Sequence, residues 1–158
     1  MDFDVNSFLD QSTTAASEAR PPVPAGEYIS TILDIEIVPW QSKDKIDPAT
    51  GQLRSGIRFE IKHLVDLPPE AAAAAKLSTP TLTLTDRVMI DLTPERQIDY
   101  GPGRNGRVRQ YREATNLNVP GEPFSPRMLI GRQVRVRLAL EEYQGRWLEQ
   151  IAGVARVA

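Results

Sequence analysis

Cysteine is absent from the 158 residues, and histidine occurs once, at His63. The first absence excludes disulfides, thiolate metal sites and cysteine nucleophiles, and suits a reducing compartment. The second excludes a histidine-cluster metal centre and leaves any Ser-His-Asp arrangement to a single residue. No serine sits in a nucleophile motif, so His63, between Lys62 and Leu64, reads as an exposed strand residue. Long apolar runs are missing too. Nothing approaches the roughly 20 residues that span a bilayer, and Met1 to Asp10 carries acids where a secretory leader carries bases. The expectation is a soluble protein with no membrane partner, metal, cofactor or catalytic set. Aromatics make up only 6%, and the net charge is −2, so basic residues for a polyanion must be concentrated locally if they serve one.

What is present changes character at Gly26. Residues 1–25 are rich in Ser, Thr, Ala and Asp and close on Arg20-Pro21-Pro22-Val23-Pro24, a composition that buries little and stiffens at the prolines. They read as an extended N-terminal arm. Within it Phe3, Val5, Phe8 and Leu9 are too apolar for a solvated tail, and Asn6 is placed to cap a short helical turn. These residues either anchor the arm to another surface or fold back onto the chain's own core. Residues 26–158 read as one domain, long enough to bury a core.

Period-two alternation dominates that domain. Ile29, Thr31, Leu33, Ile35 and Ile37 fall on one face of a first strand, against Ser30, Asp34 and Glu36. Asp47-Pro48-Ala49-Thr50-Gly51 is a loop tip, after which Ile57, Phe59 and Ile61 alternate with Arg58, Glu60 and Lys62. Pro68-Pro69-Glu70 and five alanines predict a short helix. Leu82, Leu84, Val88, Ile90 and Leu92 continue the strand pattern, and Arg107 to Leu117 has helical spacing through Val108, Tyr111, Ala114 and Leu117. Gly131 to Leu140 and Arg146 to Val157 predict an antiparallel pair around the Gln144-Gly145 turn. Five or six strands with one principal inserted helix predict a mainly β fold, a small OB-like antiparallel barrel.

Chemistry-bearing motifs are few. Gly101-Pro-Gly103-Arg-Asn-Gly106 matches the dinucleotide-binding glycine pattern without its parallel strand-turn-helix unit; with Arg104 and Arg107 beside a helix start it reads instead as a turn that attracts an anion. Glu141-Glu142, and Asp44 with Asp47, read as solvated loop carboxylates. Arginines cluster at Arg104, Arg107, Arg109 and Arg112 and again at Arg127, Arg132, Arg135 and Arg137, either as a solvated face or as a basic patch. Arg135 and Arg137, with Tyr143, Arg146 and Trp147 across the turn, make a candidate platform for stacked bases, although Trp147 serves a core equally well.

The stretch Tyr111-Arg-Glu-Ala-Thr-Asn-Leu-Asn-Val-Pro-Gly-Glu-Pro-Phe124, followed by Leu129-Ile-Gly-Arg132 and a valine-rich strand, resembles small bacteriophage proteins of the single-stranded DNA-binding type with an OB-like barrel. Phe8-Leu-Asp-Gln11 and Pro24-Ala-Gly-Glu-Tyr28 share that resemblance. It implies a phage origin and a barrel. The chain departs from such DNA binders in its negative charge and in its ending, Ala152-Gly-Val-Ala-Arg-Val-Ala158, which is not an acidic tail. The expectation is therefore a non-enzymatic virion protein, a capsid decoration or cement protein, with the major capsid protein and neighbouring copies of itself as partners. Its arm residues Phe3, Val5, Phe8 and Leu9 would be the anchors. The alternative is a single-stranded DNA-binding protein of the host cytoplasm that uses Arg104, Arg107, Arg135, Arg137, Arg146 and Trp147.

Overall fold

The computed structural model describes residues 2–158. Five strands form one antiparallel sheet in the order β3-β2-β1-β4-β5: β1 (Gly26–Ile46), β2 (Leu53–Asp66), β3 (Thr81–Met89), β4 (Gln133–Tyr143) and β5 (Arg146–Ala155). Helix α1 (Val5–Leu9) lies in the arm, α2 (Pro69–Ala74) joins β2 to β3, and α3 (Gly106–Ala114) with a 3-10 turn at Pro126–Leu129 joins β3 to β4. The expected mainly β fold with one principal helix between strands is present. The two outermost strands, β3 and β5, form no ladder with each other, so the sheet is open where a closed barrel was expected.

The first strand differs from its alternation pattern. A bulge interrupts its pairing with β2 between Ile32 and Asp34 and reverses which residues face inward. Before it Ser30 and Ile32 are buried; after it Ile35 and Ile37 stand opposite Ile61 and Phe59. Ile29 and Thr31, grouped by sequence with Ile35, belong to the outer face. Beyond Thr31 β1 loses its β4 partner, so Pro39 lies on a strand edge where its missing N–H breaks no ladder. The β1–β2 hairpin therefore projects past the rest of the sheet.

The inner face supplies the core: Ile32, Phe59, Ile61, Val65, Val88, Val134, Val136, Leu138 and Ile151 pack with Val108, Tyr111 and Ala114 of α3 and with the alanines of α2. The alanine run forms a helix because alanine loses no side-chain freedom there, and its small side chains allow close approach. Helix α3 ends three residues before the spacing predicts. Asn116 adopts the left-handed conformation, and the Leu117 N–H bonds back to the Arg112 carbonyl.

One polar chain crosses this core. His63, placed by sequence on the surface, is fully buried on the inner face of β2. Its Nδ1 lies 2.6 Å from Ser30 Oγ and its Nε2 2.7 Å from Tyr111 Oη; Tyr111 donates to Asp86 Oδ2 at 2.7 Å. The carboxylate only accepts, which orients the chain: Tyr111 spends its proton on Asp86, so His63 donates from Nε2 and accepts from Ser30 at Nδ1. Burial, reinforced by the Arg107 charge, lowers the His63 pKa to about 4 and keeps the ring neutral. Arg107 closes the chain. It stands 3.5 Å from Asp86 on β3 and donates to the Ile151 and Ala152 carbonyls of β5, bridging by side chain the strands that no ladder joins.

Candidate nucleic-acid interface

The loop between β3 and α3 is built around Asn105. Its left-handed backbone (φ 49°) turns the chain into the helix, a conformation asparagine tolerates better than most residues. Its amide then ties the loop together. Oδ1 accepts from the Asp91 N–H at 2.7 Å, while Nδ2 donates to the Asp91 and Asp99 carbonyls, both at 2.9 Å. Asp91 Oδ2 accepts the Asn105 N–H at 3.0 Å. Gly101 packs against Asp99, where a Cβ would meet the carboxylate at 2.9 Å.

This frame holds a cleft of about 230 Å³ lined by Arg104, Arg109 and Arg112 with Tyr100, Asn105 and Asn118, and no carboxylate lines it. Arg112 lies over the Phe124 ring at 4.4 Å and the Tyr100 ring at 5.8 Å while its Nε bonds to the Leu117 carbonyl. Arg104 and Arg109 are exposed and held by single contacts, 3.7 Å to Asp99 and 3.8 Å to Glu113. Such exposed pairs are weak and leave both guanidinium groups free to exchange partners. Burial raises the Tyr100 pKa against the opposing effect of Arg112, so its ring stays neutral at physiological pH.

Arg104 also lines a second cleft of about 1050 Å³, between the projecting β1–β2 hairpin and the segment after β3. Trp40, Lys45, Arg54, Met89 and Arg96 contribute to it. The two clefts adjoin at Arg104, the one residue that lines both, and their linings together make one track. Lys45, Arg54, Arg96, Arg104, Arg109 and Arg112 line it against Asp47, Asp91 and Asp99, an excess of three positive charges in a chain whose net charge is −2. Each of the three carboxylates already accepts a backbone N–H, from Ala49, Asn105 and Gly101 respectively.

No family model matches the chain, and no curated protein matches it.

Of the residues singled out by sequence, Arg104 joins this track, but Arg107 points inward to Asp86 and β5. Arg135 and Arg137 share the outer face of β4. Arg135 donates to the Val157 carbonyl and lies 3.6 Å from Glu27, and Arg137 lies across Gly153. Arg146 pairs with Tyr143, whereas Trp147 pairs with Glu142 and so faces the opposite side of the hairpin. The proposed stacking platform is thus divided between two faces.

The arm residues Phe3, Val5, Phe8 and Leu9 are all exposed, and α1 buries none of its side chains. Of the two readings of these residues, folding back onto the core is not what the structure has. Farther along, the arm is fastened: Arg20 bonds to Glu149 at 2.7 Å, the Val23 N–H donates to the same carboxylate oxygen at 2.8 Å, and the Val23 side chain is fully buried. Burial raises the Glu149 pKa, but these two hydrogen bonds, with one from its own backbone N–H and the Arg20 charge, outweigh it and leave it below the ordinary value. Sequence reasoning missed Trp40, Lys45, Arg54 and Arg96 as members of a site. Trp40, Lys45 and Arg54 belong to the β1–β2 hairpin and Arg96 to the segment after β3, and only the hairpin's projection brings the first three beside the fourth.

Proposed function

We propose that this protein binds single-stranded nucleic acid, single-stranded DNA in particular, along the track from the β1–β2 hairpin to α3, and that its open five-stranded sheet is an OB-like scaffold. The observation that carries the reading is local charge excess: an acidic chain gathers six cationic side chains against three aspartates along two clefts that share Arg104, with aromatic rings among them. Phosphates require local positive charge, and bases require exposed ring faces. The resemblance of residues 111–132 to small phage single-stranded DNA-binding proteins points the same way, and adds a phage origin. Arg104→Gln with Arg109→Gln removes two exposed cations without opening the core. Fluorescence anisotropy with an oligothymidylate should show weaker binding, and a log Kd against log salt slope lower by about 1.4, at roughly 0.7 per phosphate contact. An unchanged slope and affinity would reject the track.

The arm supports a second reading, a virion decoration or cement protein held to the major capsid protein and to neighbouring copies. The observation behind it is that Phe3, Val5, Phe8 and Leu9 are exposed, with Phe3 and Phe8 packed on each other. Removing residues 2–19, which stops short of the Arg20 and Val23 fastening, should abolish sedimentation with phage heads while the thermal transition of the domain is kept. Undiminished sedimentation would dispose of this reading.

A further inference from the structure

Within the larger cleft, Trp40 is cross-strand partner to Gly56. A Cβ built on Gly56 would lie 3.0 Å from Trp40 Cζ2 and 3.1 Å from both Cε2 and Nε1. Three bonded ring atoms at nearly equal distance place the glycine over the indole face, along its Nε1 edge, rather than against its rim. Even an alanine at position 56 would need the ring to give by a few tenths of an ångström. Glycine inside a strand weakens it and marks a place where something approaches the backbone closely. Here that something is the indole.

The ring's polar atom is also unusual. Trp40 Nε1 is the one buried side-chain nitrogen or oxygen without a hydrogen-bond partner among the described residues. A buried donor left unpaired is costly, and tryptophan in an interior ordinarily finds an acceptor. Trp40 lies outside the core cluster, on the projecting hairpin. The cleft it lines also carries Lys45, Arg54, Arg96 and Arg104.

We infer that Trp40, seated on Gly56, is a stacking platform for an unpaired nucleobase, so that the track selects single strands over duplex. The inference rests on the nucleic-acid reading above. One indole face packs on the glycine and leaves the other for a base, while the neighbouring cations take the phosphates. A duplex keeps its base faces stacked on each other and offers none to the ring. Gly56 is a positioning residue in this arrangement, since it touches the platform and not the ligand.

The test uses the full chain carrying Trp147→Phe, which leaves Trp40 as the sole tryptophan. An oligothymidylate of about 15 nucleotides, spanning a typical single-strand site, is titrated at low salt by anisotropy and by Trp40 fluorescence. An abasic strand and a duplex of equal length are run beside it. Saturable quenching by the oligothymidylate alone is expected, together with movement of the Trp40 Nε1–H resonance. Gly56→Ala and Trp40→Leu should each weaken its binding roughly tenfold, the loss typical of one stacked base, and bring it towards that of the abasic strand. If the oligothymidylate binds without quenching, or if both variants bind within about twofold of the parent, the stacking inference falls and the nucleic-acid reading stands. If no strand binds at low salt, both fall. Urea unfolding reports whether Gly56→Ala has retained its fold; if it has not, Trp40→Leu decides alone.

Discussion

Tyr111→Phe deletes one oxygen from the middle of the buried polar chain and leaves the ring's packing in place. That oxygen accepts from His63 Nε2 at 2.7 Å and donates to Asp86 at 2.7 Å, with all three side chains buried. A hydrogen bond to a charged group contributes about 1.5–3 kcal/mol, and a buried donor left without an acceptor costs about 1–3 kcal/mol. Arg107 still faces Asp86 in the variant, which relieves part of the first loss. The expected destabilisation is therefore about 3 kcal/mol. With a urea slope of about 2 kcal/mol per molar, the unfolding midpoint should fall by about 1.5 M. Replacing both partners by apolar groups removes the orphaned donor, so His63→Leu with Tyr111→Phe should be less destabilised than the two single losses added together, by at least about 1 kcal/mol. A loss below about 0.5 kcal/mol for Tyr111→Phe, or strict additivity in the cycle, would refute the claim that the buried chain is continuous.

His63 makes stability depend on pH in a direction set by its lowered pKa. The unfolded ring, with a pKa of 6.5, binds a proton that the folded ring, at about 4, refuses; the contribution is complete above pH 6.5 and is lost as pH falls towards 4. At 1.36 kcal/mol per unit this amounts to about 3 kcal/mol. Asp86, raised by burial against the hydrogen bond from Tyr111 and the Arg107 charge, acts oppositely and regains stability as it protonates. The His63 part is therefore read as the difference between parent and His63→Leu in urea unfolding at several pH values. Parallel stability curves through that window would contradict it. Asn105→Gly keeps the left-handed backbone but removes three side-chain hydrogen bonds, so about 2–3 kcal/mol of stability and the amide exchange protection of Asp91 should be lost together. Retained protection would show that the loop does not depend on that amide.

Much of the architecture is legible in the residues. Alternation at Ile57, Phe59 and Ile61 and at Val134, Val136 and Leu138 locates inner faces because side-chain direction reverses at every residue of a strand. The β4–β5 hairpin follows from Gln144-Gly145, and α2 from its alanines. Local rules end at the β1 bulge, since one extra residue exchanges faces without marking the composition on either side. They fail again at His63. A lone histidine beside lysine looks exposed until Ser30, Tyr111 and Asp86, from three other elements, are seen to surround it.

The candidate site divides in the same way. Sequence alone determined that arginines cluster just before and within α3, that cysteine and histidine-cluster metal chemistry is excluded, and that a polar arm carrying a few apolar residues precedes the domain. Tertiary structure decided which arginines are free: Arg107 is committed to bridging β3 and β5, Arg135 and Arg137 lie on the face away from Trp147, and Arg104 remains at the junction of two clefts. It also placed Trp40 on Gly56 and carried the hairpin's cations to the β3–α3 loop. The physical reason is range. Backbone propensity and side-chain alternation act over a few residues, whereas burial, charge pairing and the sharing of a cleft depend on strand order, register and a bulge that bring distant residues within a few ångströms.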